Sequence, residues 1–119
     1  AYSDPGIIVC AYPALKGMRD FEERIAYLTG DEGLLKKLDI RDGYHFGGYA
    51  KWQPELIGFM NRCWQEFQLP LDFVYTGKML YGVWKDIEQN RYPEGSSILC
   101  IHTGGLQGNN SLKEGLIEY

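Results

Sequence analysis

Residues 7–11, Ile-Ile-Val-Cys-Ala, run apolar with no polar residue between them. A strand with one wet face alternates, so an unbroken run points to a strand covered on both faces, as in a parallel sheet flanked by helices. Parallel strands need crossover connections, and helical stripes follow at suitable places. Met18, Phe21, Ile25 and Leu28 share one helical face, with Gly30 as the stop. Residues 31–38 predict a short helix through Leu34, Leu35 and Leu38, and residues 39–51, rich in Gly and aromatics, predict a loop. Pro54 suits the first turn of a helix with Leu56, Met60, Cys63, Trp64 and Phe67 along one side, ending before Pro70. Leu71 to Val74 is the next expected strand. Thr76 is the expected N-cap of a helix that buries Leu80, Val83, Trp84 and Ile87 and ends near Pro93. Residues 97–101 give the last strand. The order predicts a single α/β domain over residues 1–119.

Composition excludes several classes. With 45% hydrophobic residues, 24% charged and a net charge of -4, the chain is neither disordered nor a polycation, so no nucleic-acid partner is expected. No apolar run approaches the ~20 residues of a membrane span. The start, Ala1-Tyr2-Ser3-Asp4-Pro5-Gly6, lacks the charged-then-apolar build of a signal peptide, which predicts a cytoplasmic protein away from membranes. Cys10, Cys63 and Cys100 are widely spaced inside apolar patterns, as expected of reduced core thiols, and no metal site is expected.

Two segments have the composition of a site lining: Val74-Tyr75-Thr76-Gly77-Lys78 and Ile101-His102-Thr103-Gly104-Gly105. Each follows a predicted strand, and in open parallel sheets ligands bind beyond the carboxyl ends of strands, where helix N-termini present free donors. Taken singly, these residues also have plain structural readings. Tyr75 is a half-buried strand-end aromatic, Thr76 a cap, His102 a hydrogen-bonded structural residue, and Tyr49 part of a packed loop. Lys78 sits in a first helical turn, where the dipole disfavours it. It is either solvated or partnered by a carboxylate or phosphate. Gly104, Gly105 and Gly108 form a weak phosphate nest. A non-catalytic α/β phosphate- or nucleotide-binding domain is therefore an alternative, although the acidic cluster or Walker-type lysine loop it calls for is not in the sequence. A purely structural fragment is a third reading.

Together with Asp42-Gly43-Tyr44-His45-Phe46-Gly47-Gly48-Tyr49-Ala50-Lys51, the VYTGK and HTGG segments resemble, in order, three signature segments of the pyridoxal-phosphate (PLP) enzymes grouped as 1-aminocyclopropane-1-carboxylate deaminase and D-cysteine desulfhydrase. The resemblance implies part of the large domain of a fold type II, tryptophan synthase beta-like enzyme. It implies Tyr75 and Tyr49 as catalytic phenols on the substrate side, Thr76 as partner of the cofactor ring nitrogen, and His102, Thr103 and Gly104 at the ring end of the cofactor. Deaminase-like members carry Glu and Leu where this chain has Thr76 and Thr103, whereas desulfhydrase-like members carry small hydroxyl residues. A neutral group at the ring nitrogen stores less carbanion charge and suits β-elimination. The expected parent activity is thus a lyase converting D-cysteine to pyruvate, sulfide and ammonia, with cyclopropane ring opening by the deaminase, formally a hydrolase, as the alternative. The family's Schiff-base lysine and its Gly-Thr-Gly-Gly-Thr-like phosphate loop have no counterpart here, and Phe73 stands where the family usually has proline. The expectation is a C-terminal portion, inactive alone, of a homodimeric enzyme of amino-acid metabolism, its partners a small amino acid and the rest of its own polypeptide.

Overall fold

The computed structural model describes residues 6–17 and 20–119. In chain order they form β1 (Val9–Ala11), α1 (Phe21–Thr29), a 3-10 turn (Glu32–Lys37), β2 (Leu38–Ile40), α2 (Pro54–Phe67), α3 (Thr76–Glu88) and a second 3-10 turn (Leu106–Ser111). Met18 of the predicted α1 stripe lies outside the described residues. The architecture is α/β, with a two-stranded parallel sheet, β1 beside β2, in the register Val9 to Leu38, Cys10 to Asp39 and Ala11 to Ile40.

The expectations hold for the helices better than for the strands. Gly30 ends α1 in the left-handed region at φ 68°, a conformation glycine takes without a Cβ penalty. Pro54 occupies the first turn of α2, which stops before Pro70. The first strand is shorter than its apolar run and is not covered on both faces, since Ile7, Ile8 and Val9 are exposed. Its partner β2 falls partly in the segment read as loop. Residues 97–101 join no ladder, and Leu99 is 89% exposed. Among the described residues no neighbour supplies the peptide groups that a strand there needs. Of the cysteines, all free, only Cys63 lies in the core, while Cys10 and Cys100 are half-buried.

The core lies between α2, α3 and the turn that joins them. Leu56, Ile57, Phe59, Met60 and Cys63 of α2 meet Leu71, Phe73, Val74 and Tyr81. Complete burial of a side chain such as Leu56 or Met60 contributes about 1.5–3 kcal/mol. Leu56, Met60 and Cys63 of the predicted side of α2 are buried and Ile57 and Phe59 widen that face, while Phe67 at the helix end is exposed. The face of α3 is displaced from the predicted one. It buries Gly77, Lys78, Tyr81, Gly82, Val83 and Asp86, leaves Trp84 and Ile87 about half exposed, and ends at Glu88.

Leu71–Val74, expected as a strand, is a turn whose peptide groups are met by side chains. The Asn109 carboxamide donates to the Leu71 carbonyl at 2.9 Å and accepts from Phe73 N at 3.0 Å. Tyr119 Oη accepts from Leu71 N at 3.1 Å and donates to the same carbonyl.

Asp86 joins the strand pair to the helices. Its carboxylate, fully buried, accepts from Tyr12 Oη just after β1 at 2.8 Å, from Tyr44 Oη, from Arg41 Nη1 just after β2 at 3.3 Å, and from Arg91 Nη1 at 3.1 Å. Burial alone would raise its pKa. The bonds from Tyr44, Tyr12 and Arg91 and the charge of Arg41 outweigh this and hold it below the ordinary carboxylate range. Gly82 lets the two tyrosines reach it, because a Cβ there would stand 2.6 Å from the Tyr12 ring and 2.8 Å from that of Tyr44.

Candidate functional site

The signature segments, far apart in sequence, meet at the N-terminal turn of α3. The organiser is Asp72, which is fully buried. Its Oδ2 accepts from Val74 N and Tyr75 N, both at 2.8 Å, and its Oδ1 accepts from Thr76 N at 2.9 Å and Thr76 Oγ1 at 2.6 Å. A helix N-terminus has orphan amides and a positive dipole end, and one carboxylate here meets both. Thr76 is therefore not the N-cap. It is the first helical residue, 2% exposed, its hydroxyl proton given to Asp72 and a lone pair accepting from Asp72 N at 3.0 Å.

With those amides held, the Tyr75 ring projects outward, 52% exposed, against the 55% exposed ring of Tyr49. The ring centroids are 6.1 Å apart at an interplanar angle of 62°, an edge-to-face contact. The neighbouring Tyr49 phenol, then burial and the charge of Asp72, raise the pKa of Tyr75 above the ordinary phenol value.

Tyr49 is carried by the loop after β2. Phe46 packs edge-on against Tyr81 with centroids 4.9 Å apart, Gly47 N donates to His45 Nδ1 at 3.0 Å, and Gly48 is buried with φ 130°. Lys78, expected to be solvated or paired with an anion, is 1% exposed and donates from Nζ to the Gly48 carbonyl at 2.8 Å. Burial pushes its pKa down to about 8, and the charge of Asp72 opposes that fall.

The HTGG segment also meets this turn. His102 Nε2 is 2.8 Å from the Pro70 carbonyl, and its Nδ1 accepts from Gly104 N at 3.1 Å. Both contacts are met by the neutral tautomer with its proton on Nε2. Gly104 and Gly105 have φ of 81° and 90°. Gly105 and Gly108 lie beside the Asp72 carboxylate, where a Cβ on either would stand 3.6 or 3.7 Å from its oxygens, an ordinary contact. Thr103, between these anchored residues, is exposed. The fold thus brings Tyr49 against Tyr75 and sets both His102 and Gly105 beside the Asp72 turn.

Asp72 and Lys78 have site roles that sequence reasoning missed. An acid four residues before a threonine that opens a helix was the available signal for Asp72. For Lys78 there was none, because its burial depends on a loop thirty residues away. Gly77 completes the turn: its N donates to the Asp72 carbonyl at 2.8 Å, and a Cβ there would stand 2.6 Å from that oxygen and 3.0 Å from Met60 Sδ. Gly77→Ala must therefore push α3 off the turn. We expect a loss of about 1–3 kcal/mol in urea unfolding, with weakened Tyr49–Tyr75 ring contact by NMR.

The described residues contain no group of three or more His, Cys, Asp or Glu able to hold a metal, and no helix among them is long and apolar enough to cross a membrane. No protein-family model matches the chain, and no solved structure does. Curated relatives do match. Over 90 residues, 72% of this chain and 26% of the relative, it is 34% identical to a Pyrococcus furiosus protein with the provisional name 1-aminocyclopropane-1-carboxylate deaminase. A Pyrococcus abyssi protein with the same provisional name is 32% identical over 105 residues, 88% of this chain and 31% of the relative. D-cysteine desulfhydrase of Yersinia pestis is 32% identical over 84 residues, 71% of this chain and 26% of that enzyme. The chain is therefore similar, over between a quarter and a third of their length, to proteins named for deamination of 1-aminocyclopropane-1-carboxylate and desulfhydration of D-cysteine.

Proposed function

We propose that this chain is the C-terminal part of a PLP-dependent enzyme acting on a small amino acid, in which Tyr75 and Tyr49 face the substrate. The observation that carries this reading is the exposed Tyr49–Tyr75 pair, held at the first turn of α3 beside the anchored His102–Gly105 segment. The residues present fit the substrate side and one edge of such a cofactor. Two phenols stand at the surface, the exposed Thr103 lies between anchored backbone, and His102 is held by the Pro70 carbonyl and the Gly104 amide. The lysine that carries the cofactor and the loop that holds its phosphate belong, on this reading, to polypeptide preceding Ala1.

When bound, the cofactor supplies an electron sink at the substrate α-carbon. The chain supplies proton control. Tyr75, protonated at neutral pH as any ordinary phenol is, is placed to offer its proton to a leaving sulfur, and Tyr49 stands against it at the same surface. Thr76 has no proton to offer the ring nitrogen, because it is 2% exposed and its hydroxyl donates to Asp72, so its part on this reading is to bring the first turn of α3 up to the ring without a charge. His102, Thr103 and Gly104 form the wall at the ring end. The small hydroxyl side chains at 76 and 103 favour β-elimination from D-cysteine, in which the Cβ–S bond breaks and water then releases pyruvate and ammonia beside sulfide. Ring opening of 1-aminocyclopropane-1-carboxylate to 2-oxobutyrate is the second reading, supported by the names of the Pyrococcus relatives.

The test is sulfide and pyruvate release from D-cysteine against 2-oxobutyrate release from 1-aminocyclopropane-1-carboxylate by the full-length protein. Tyr75→Phe is expected to lower kcat by roughly a hundredfold or more with little change in KM, the usual scale for a lost proton donor. Unchanged turnover would remove Tyr75 from the chemistry. PLP added to the isolated chain should give no visible-absorbing adduct abolished by a single lysine substitution, and finding one would overturn the division of the cofactor site.

A further inference from the structure

Lys78 lies one helical turn beyond Tyr75, and the two side chains leave the first turn of α3 toward the same loop. Tyr75 meets the Tyr49 ring, and Lys78 reaches the carbonyl of the residue just before Tyr49. The loop and the helix are thus joined at two adjacent points, one aromatic and exposed, the other polar and buried. We propose that Lys78 is a positioning residue whose ammonium, by holding the Gly48 carbonyl, sets the Tyr49 phenol against Tyr75. This inference rests on the proposed function only for the claim that the phenol pair faces a substrate.

The placement is costly, which argues against incidental packing. An amine 1% exposed loses most of its hydration, and an apolar side chain of the same length would fill the space without that loss. The Gly48 carbonyl also accepts from Lys51 N at 3.1 Å, so the local turn already has a hydrogen bond without Lys78. What Lys78 adds is the link across to α3. Gly48 is suited to receive it, because φ 130° is a backbone state that L side chains rarely adopt. Asp72, which faces the same amine from the turn, helps to keep it charged.

Lys78→Met removes the donor and keeps the length. Because it also removes a buried charge, the variant should fold at least as stably as the parent at neutral pH. In NMR spectra of the 119-residue chain, the proposal expects the Tyr49–Tyr75 ring contacts to be lost in this variant. Those of Phe59 with Tyr81 and Tyr12 with Tyr44 should persist, which a general packing role for Lys78 would not produce. Retention of the Tyr49–Tyr75 contacts in folded Lys78→Met would overturn it. Unaltered chain gives a second reading: the Lys78 amine protons should exchange with water far more slowly than those of exposed lysines and show a through-bond coupling to the Gly48 carbonyl. Fast exchange without coupling would also overturn it. Neither measurement depends on cofactor or turnover, so failure of the proposed activity would leave these results unmoved.

Discussion

Asp72→Ala is expected to lose about 3 kcal/mol or more of folding stability and to dissolve the site as an arrangement. The substitution strips partners from three backbone amides and from the Thr76 hydroxyl, most of them buried. A buried donor left without a partner costs about 1–3 kcal/mol, and the sum is reduced where water enters. Loss of an ordinary cap costs nearer 1 kcal/mol, so the size of the effect separates an organiser from a simple cap. Urea unfolding measures the loss. Ring contacts of Tyr75 with Tyr49 and exchange of the His102–Pro70 bond report the site itself. Asp72→Asn should fall between, since its carboxamide turns two donors toward amides that are themselves donors. A loss below about 1 kcal/mol would mean that Asp72 does not organise the turn.

Asp86→Ala should be comparably severe, about 3–5 kcal/mol, because it leaves Arg41 partly buried without one of its carboxylates and strands two phenols. Its signature should lie in the strand pair. Tyr12 and Arg41 stand immediately after β1 and β2, so hydrogen exchange in residues 9–11 and 38–40 is expected to accelerate more than in α2. The acid limb gives an independent check. The folded pKa of Asp86 is depressed, so its contribution is present above the unfolded value and is lost as pH falls through the folded one. Asp86→Ala should therefore flatten the loss of stability below about pH 4.

Lys78 produces a slope of the same sign at the alkaline end. With a folded pKa of about 8 against an ordinary value of 10.5, the unfolded chain binds more protons between those limits, and stability rises with pH across the lower part of that window. Above about pH 10 the rise is opposed by Tyr12 and Tyr81, whose pKa values burial raises, so stability should then fall. Lys78→Met should remove the rise and leave the fall, as read by urea midpoints across pH.

The residues that chemistry marks were legible in the sequence, and their supports were not. Tyr49, Tyr75 and His102 stand out by residue type and by adjacency to glycine, and the structure brings their segments together. Helix ends were legible too, because Gly30 and Pro54 act through local backbone geometry. The parallel strand at residues 9–11 was legible, but two of the three expected strands were misjudged, since an apolar run such as Ile98–Ile101 reports a liking for cover and not the presence of a neighbour. The buried face of α3 was misjudged for a related reason. Hydropathy alone puts Trp84 and Ile87 inside, whereas Lys78 and Asp86 are buried because tertiary partners satisfy them.

Asn109 bridges the carbonyl of Leu71 and the amide of Phe73, the same acceptor and donor, two residues apart, that an adjoining β-strand would engage. A side chain here impersonates a peptide unit. The run that leads into Asp72 is thereby closed to any further strand on that side, and with Tyr119 also engaging the amide and carbonyl of Leu71 its position is set by two side chains. Precision at the phenol pair begins with that surrogate.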